Sequence, residues 1–262
     1  MATKSEIGKR GQRILEELLK TGAITVEQIC AEFNVSLATA RRDLENLELQ
    51  GRLRRTHGGA ISLEPLLYEP FRHVSSYSNQ VDMCAEEKRR IAIAAAELIN
   101  DGDIIALTPG TTTNQITRAI SPGKQITVVT NTVNVAMELS NRPEISVFVT
   151  GGFLHGGWFS LVGSTAMEAV QRIFVDKVFI AANGLHAEHG ATAYHPHEAD
   201  LNRVLASHAR ERIVVVDRTK LGVTATHQFC PVEDIHLIIT DRDADEEDIK
   251  GFVEKGIKVQ RV

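Results

Sequence analysis

Two kinds of residue cluster in this chain have the types and spacing to do chemistry. The first is Ser36-Leu37-Ala38-Thr39-Ala40-Arg41-Arg42-Asp43-Leu44. Read as a helix capped by Ser36, it buries Ala40, Leu44 and Leu47 and presents Leu37, Ala38, Thr39, Arg41 and Arg42 near its start. Such a first turn suits the major groove of DNA, where a small residue meets a thymine methyl and arginine bonds guanine edges. The free amides of that turn, beside Ser36, also favour a phosphate. Asp43 adjoins the arginines in sequence and is expected to hold one of them. Arg52, Arg54, Arg55 and His57 follow on a short glycine-containing segment, where charge suits backbone phosphates better than bases. The plain alternative is a surface helical hairpin with solvated arginines.

The second cluster is a set of polar turns at the ends of apolar runs. Thr108-Pro109-Gly110-Thr111-Thr112-Thr113 stands between a β-rich run and a helical segment. Glycine admits a ligand to the backbone, threonine hydroxyls donate, and helix-start amides point outward, which together make a phosphate cradle. No Gly-x-x-x-x-Gly-Lys-[Ser/Thr] occurs, so this is not a nucleotide P-loop. The alternative is an ordinary turn with threonine caps. The theme recurs at Thr130-Asn131-Thr132, Gly151-Gly152, Ala182-Asn183-Gly184 and Asp217-Arg218-Thr219-Lys220. In an open parallel sheet, ligands collect at the carboxyl ends of the strands. The candidate effector contacts are therefore Thr108, Gly110, Thr111, Thr112, Thr113, Asn131, Gly151, Gly152, Asn183, Gly184, Glu198, Asp217 and Lys220. Amides, hydroxyls, one lysine and carboxylates at one edge suit a phosphorylated polyol. Glu198 and Asp217 either accept from hydroxyls or serve as a helix cap or an ion-pair partner of Lys220. Trp158, the sole tryptophan, either stacks on a sugar face or anchors a loop. His186, His189, His195 and His197 lie close in sequence but lack cysteine neighbours. They are read as a polar rim to the pocket rather than as metal ligands.

The elements that must position these residues follow from periodicity. Lys9 to Lys20 has helical spacing and is stopped by Gly22; Thr25 with Gln28 forms a capping box for a second helix. Asn34-Val35 turns into the third helix, which Gly51 ends, and Arg52 to Ile61 suits a hairpin. Pro65, Pro70 and the serines at 75, 76 and 78 mark a linker over 62–82. From Ala85 on, strands are expected at 104–108, 126–130, 146–150, 177–182, 212–217, 235–240 and 257–260. Helices are expected at 86–100, 112–120, 134–140, 165–173, 198–209 and 246–255. Strands this apolar, alternating with helices, argue a mostly parallel α/β sheet covered on both faces. The division is then 1–61, a nucleic-acid-binding head; 62–82, a linker; and 83–262, a body with a candidate ligand site.

Composition narrows the function classes. The 262 residues are 43% hydrophobic and 24% charged, which excludes a disordered chain. No run reaches the roughly 18 apolar residues of a membrane span, and Met1 to Arg13 has no signal-peptide core, so a cytoplasmic protein is expected. Three scattered cysteines (Cys30, Cys84, Cys230) fit neither disulfides nor a CxxC metal site and read as small buried residues. The net charge of −5 is uneven: residues 1–60 hold ten Lys/Arg against eight Asp/Glu, and the rest hold 19 against 26. Only the head is suited to a polyanion.

The head, over about residues 8–61, resembles that of the DeoR family of bacterial transcription regulators. The likeness is carried by Val35-Ser36, Thr39, Arg41-Arg42-Asp43-Leu44, Leu47-Glu48, Gly51, Leu53, Arg55 and His57-Gly58-Gly59-Ala60. Ala40 stands where the family usually has Ile or Val. The body, over about 80–240, resembles the family's effector domain through Asp101-Gly102-Asp103, Gly110-Thr111-Thr112-Thr113, Thr130-Asn131, Gly151-Gly152, Leu161-Val162-Gly163, Glu198-Ala199, Asn202-Arg203 and Asp217-x-Thr219-Lys220. Thr108-Pro109 replaces an Asp-Ser-like pair, and His155-Gly156-Gly157-Trp158 replaces an arginine-rich loop. The resemblance implies a winged helix-turn-helix head and a body similar in fold to ribose-5-phosphate isomerase. It also implies a sugar-phosphate inducer and a homo-oligomer, dimer or tetramer. The expected function is an operator-binding repressor of a sugar-catabolic operon, needing no cofactor. A transcriptional activator, or a sugar-phosphate isomerase or deaminase with an attached head, is the alternative. The acids such enzymes keep at one strand end are replaced here by Ala181-Ala182-Asn183-Gly184, so no catalytic residue is assigned.

Overall fold

The computed structural model describes residues 10–11, 13–15, 17–18, 21, 23–49, 53–62, 80–81, 83–155 and 158–262. They form two compact units, a head within residues 1–71 and a body within 72–262. The expected roles of Lys20, Gly22, Gly51, Arg52, most of the linker and Gly156-Gly157 lie outside the described residues.

In the head, the described residues between 10 and 18 are helical. Strand β1 (Ala23–Thr25) leads into helix α1 (Val26–Phe33). The capping box forms as the sequence requires: Thr25 Oγ1 accepts from Gln28 N–H at 3.2 Å, and Gln28 Oε1 accepts from Thr25 N–H at 2.7 Å. Asn34 ends α1 in the left-handed region, φ 49°, which asparagine tolerates better than most residues. Helix α2 (Leu37–Leu49) follows, then strands β2 (Leu53–Thr56) and β3 (Gly59–Ser62). Ile14, Leu18, Ile29, Ala40, Leu44, Leu47 and Leu53 form the head's core. Ala40 is fully buried there, the inward position its periodicity predicted.

The wing is a three-stranded antiparallel sheet in the order β1-β3-β2. Strand β1 is too short for periodicity to reveal. It constrains Gly59: a Cβ there would stand 2.0 Å from Ile24 O. Its neighbour Gly58 has nothing within 4 Å. Gly59→Ala should therefore part β3 from β1 and destabilise the head by about 1–3 kcal/mol, while Gly58→Ala changes little. Calorimetric melting of the two variants would check this; equal melting temperatures would refute it.

The body is built on seven parallel strands in the order β15-β14-β12-β9-β4-β5-β6. These are β4 (Ile104–Leu107), β5 (Ile126–Thr130), β6 (Ile145–Val149), β9 (Val175–Ile180), β12 (Ala209–Val215), β14 (Leu237–Thr240) and β15 (Lys258–Arg261). All seven overlap the strands expected from the sequence, with bounds shifted by up to three residues; β12 begins earlier, in the polar Arg210-Glu211-Arg212. Alternate residues serve two cores. Ile105, Leu107, Val128, Phe179, Ile213 and Val215 pack with helices α3 (Ala85–Glu97), α4 (Thr111–Ala119) and α5 (Val133–Leu139) on one face. Ala106, Val129, Val178, Ile180, Val214 and Ile238 pack with α6 (Ser164–Val170), α7 (Pro196–Ser207) and α8 (Glu246–Glu254) on the other. Burial on both faces is why the inner strands read as continuous apolar runs.

Two smaller sheets were not visible in the sequence. One is the hairpin β7 (Phe153–His155) and β8 (Ser160–Val162). The other has the order β10-β11-β13, from Gly184–His186, Gly190–Ala193 and His227–Cys230. The Asp101-Gly102-Asp103 turn is structural. Asp101 Oδ1 accepts from Gln125 N–H at 2.7 Å, and Asp103 Oδ2 pairs with the buried Lys177 ammonium at 2.7 Å. Of the cysteines, Cys230 is buried and burial pushes its thiol up to about 12. Cys30 and Cys84 are only partly buried, which corrects the expectation for those two.

Candidate functional site

Strand order decides where a ligand fits. After β4, the chain adds β5 and β6 on one side, then returns to place β9 on the other. The order reverses between β4 and β9, so the crevice opens at the carboxyl ends of those two strands. Thr108 closes β4, and its Oγ1 accepts from Ala181 N–H at 2.9 Å, pinning the two strand ends together. Thr113 Oγ1 donates to Thr108 O at 2.7 Å. Gly110 presses on β9's end: a Cβ there would lie 2.3 Å from Ala181 Cβ. Helix α4 thus begins at the crevice, and no side chain caps it. The first amides of a helix have no partners within it.

The cleft above this point is open to solvent, and its empty volume of about 570 Å³ includes that open mouth. Its walls include Gly110, Thr111, Thr112, Asn183, Glu198, Asp217 and Lys220 from the sequence-derived set. Thr108 and Thr113 lie behind the wall as supports. Asn131, Gly151, Gly152 and Gly184 are not among its lining residues. Asn131 Nδ2 instead donates to Leu161 O at 3.1 Å and carries the β7–β8 hairpin. Gly151 and Gly152, at φ 70° and 112°, turn the chain into that hairpin, where a Cβ on Gly152 would meet Val162 O at 2.5 Å. Gly184 is held against Val223 O, 2.4 Å from its would-be Cβ.

Glu198 is buried at the start of α7, where Pro196 occupies the first turn. Ser160 Oγ donates to Glu198 Oε1, and His155 Nδ1 stands 3.5 Å from the same oxygen. The His155 and His195 rings meet edge to face at 4.3 Å. The β7–β8 hairpin therefore sets the orientation of the carboxylate. Asn183 Oδ1 accepts from Tyr194 N–H at 3.1 Å. None of His186, His189, His195 or His197 is among the lining residues, so the polar-rim reading does not hold. His186, Glu188 and His189 have ligand atoms within 4.8 Å of one another. However, His186 Nδ1 accepts from Glu188 N–H at 3.1 Å. In the neutral ring this puts the proton on Nε2, so the turn would have to give up that bond to ligate a metal.

Among the lining residues outside the sequence-derived set are Gln80, Lys88, Pro109 and Asn202. Lys88 Nζ pairs with Asp217 Oδ2 at 3.3 Å, and both side chains are buried. Lys88 falls three and four positions before Ile91 and Ala92 on the buried stripe of α3, a signal periodicity could have given. Asp217 Oδ1 accepts from Thr219 N–H at 3.0 Å, capping the turn at Arg218–Lys220. Asp217 thus pairs with Lys88, not Lys220. Burial holds the Lys220 ammonium below the ordinary lysine range against the opposing pull of Asp217, and Lys88 adds to the lowering. Asn202 is 4% exposed, and its Oδ1 has no hydrogen-bond partner among the described residues. Trp158 also lines the cleft.

On the head, Ser36 Oγ accepts from Thr39 N–H at 3.2 Å and caps α2. Leu37, Ala38, Arg41 and Arg42 are exposed along the first turns, with Thr39 partly so. Asp43 does not serve Arg41 or Arg42. It is buried and takes Arg10 in a bidentate pair, Nε–Oδ2 2.6 Å and Nη2–Oδ1 3.0 Å. Arg54, Arg55 and His57 are exposed on the wing. Arg55 is tied to Glu48, whose Oε2 accepts from its Nε at 2.8 Å. The Arg55 backbone N–H, with the guanidinium, holds the Glu48 carboxyl below the usual glutamate range.

No helix of the described residues is long and apolar enough to cross a membrane. Residues 10–65 match the DeoR-like helix-turn-helix domain, and residues 83–242 match the DeoR C terminal sensor domain. The chain is 37% identical over 229 residues to the HTH-type transcriptional repressor GlcR of Bacillus subtilis (strain 168), covering 87% of this chain and 86% of that protein. It is 30% identical over 239 residues to the lactose phosphotransferase system repressor of Staphylococcus epidermidis, covering 90% and 93%. A ribose 5-phosphate isomerase A structure from Methanocaldococcus jannaschii overlays at TM-score 0.40 and 17% identity, over 52% of this chain and 54% of that one. With a helix-turn-helix head and a sensor body both matched, the chain belongs to the DeoR family of transcriptional regulators.

Proposed function

We propose that the chain is a repressor of a sugar-catabolic operon that a phosphorylated sugar releases from its operator. The division is a DNA-binding head at 1–61, a linker at 62–82 and a sensing, oligomerising body at 83–262, acting in the cytoplasm as a dimer or tetramer. The observation that carries the sensor reading is Asn202. A buried amide oxygen without a partner is costly, and a ligand hydroxyl in the cleft would satisfy it. The amides at Gly110–Thr112 with Lys220 suit the phosphate, and Glu198 and Asn183 suit the polyol. Trp158 supplies an apolar wall for the sugar's carbon face.

The cleft is a sensor rather than a catalyst in this reading. Aldose–ketose isomerisation needs a free carboxylate near the carbons that exchange the proton. Glu198 is engaged by Ser160 and approached by His155, and the end of β9 runs Ala181-Ala182-Asn183 without an acid. GlcR and the lactose-system protein are named as repressors, which supports repression over activation. Paired heads would require half-sites about one helical turn, or a multiple of it, apart.

Fluorescence-anisotropy titration of DNA flanking the chain's own gene tests this. Tight, salt-dependent binding released by a sugar phosphate, but not by its free sugar, is the expected result. Binding indifferent to every sugar phosphate would sink the sensor assignment, and turnover of a sugar phosphate would restore the enzyme reading.

A further inference from the structure

We propose that Gln80 is a latch that the effector displaces. The inference rests on the sensor reading above and adds how cleft occupancy reaches the chain leading to the head. Gln80 Oε1 accepts from Lys220 Nζ at 3.1 Å, and Gln80 O accepts from Lys88 Nζ at 2.7 Å. Met83 O accepts from the same Lys88 ammonium. Residue 80 therefore holds both cations of the cleft, one through its side chain and one through its main chain.

The two cations differ. Lys88 is neutralised by Asp217, whereas Lys220 has only the neutral amide of Gln80 as a recorded acceptor among the described residues. An anionic oxygen is a stronger acceptor than an amide oxygen, more so in a partly buried site. A phosphate that reaches Lys220 takes the place of Gln80 Oε1.

The backbone beyond the latch is set to respond. Cys84 precedes α3 at φ 52° and ψ 40°, and its side chain makes no capping bond. A residue other than glycine keeps that left-handed conformation only while its surroundings hold it. Here the Lys88 bonds to Gln80 O and Met83 O are the clamp across the turn. Losing the Gln80 side-chain bond loosens one end of that clamp and frees the start of α3. In sequence, residue 80 lies between β3 of the head and α3 of the body, so the latched segment is the chain's way into the body. The latched state is the operator-binding one. The effector selects the unlatched state, by no more than its differential affinity for the two.

The test uses the full chain, with inorganic phosphate and ribose 5-phosphate as probes. Hydrogen–deuterium exchange over residues 80–90 is read beside calorimetric binding. Either probe should speed exchange at the start of α3 at least fivefold in the wild type. Gln80→Ala should exchange fast without any probe and bind phosphate about tenfold tighter. Gln80→Glu, which sets a carboxylate on Lys220, should bind it about tenfold weaker. Equal binding by all three proteins with unchanged exchange would overturn the latch and leave the sensor reading standing. Failure of both probes to bind the wild type and Gln80→Ala would remove the sensor reading and the latch with it.

Discussion

Lys88→Met should destabilise the body by about 3–5 kcal/mol, the range for breaking one side of a buried ion pair. The Lys88 and Asp217 side chains are 3% and 1% exposed, 3.3 Å apart. The ammonium donates to Gln80 O and Met83 O and lies in ion-pair range of Asp217 Oδ2. Methionine fills much of the lysine's volume, so little of the loss comes from a cavity. What remains is a buried Asp217 carboxylate with Oδ2 unpaired, while Oδ1 stays on Thr219. The double variant Lys88→Met/Asp217→Asn removes that stranded charge and should recover more than half of the loss. Urea unfolding of the body, followed by circular dichroism, checks both. A Lys88→Met loss below about 1 kcal/mol would mean that water solvates Asp217 through the cleft. A double variant no more stable than the single one would place the cost in packing rather than charge.

How much of this was legible depended on which periodicity the residue obeyed. The five inner strands of the large sheet were readable because burial on both faces leaves an unbroken apolar run, as in Val178-Phe179-Ile180, whereas the edge strands β6 and β15 are largely exposed. Hairpin β7–β8 was not. Phe153 and Leu154 are exposed at 77% and 55%, so hydrophobicity gave no inward face to detect. The strands β10, β11 and β13 are three or four residues long, too short for a pattern.

The site was half legible for a topological reason. Treating every strand end as part of one ligand edge drew in Asn131, Gly151 and Gly152. These follow β5 and β6, which lie beyond β4 from the β4/β9 reversal, and strand order cannot be read from one sequence. The lining residues Gly110–Thr112 and Asn183 follow the two strands that flank the reversal. Asp43 shows the converse failure. Sequence adjacency suggested a partner for Arg41 or Arg42, but at about 100° per residue position 43 shares the inward face of Ala40, Leu44 and Leu47. Burial there leaves Arg10 as its partner.

That geometry makes the head's arginines separable by experiment. Arg41→Ala/Arg42→Ala should weaken operator binding about 10²–10³-fold, because each bidentate base contact contributes roughly 1–3 kcal/mol of discrimination. Both side chains are exposed on a helix start capped by Ser36, with Leu37 beside them 52% exposed. Random DNA should lose far less, since it offers phosphates but not the cognate base edges. Arg55→Ala gives the contrast. Its guanidinium already serves Glu48 at 2.8 Å, so it can reach a phosphate only by sharing or leaving that carboxylate. Its loss should weaken operator and random DNA alike, lowering the slope of log K against log salt by at most about 0.9. If the double variant weakened both DNAs equally, Arg41 and Arg42 would be phosphate contacts, and sequence reading would fall to Leu37, Ala38 and Thr39. If Arg55→Ala selectively weakened the operator, the Glu48 pair would have to open on binding, and the wing rather than α2 would carry part of the specificity.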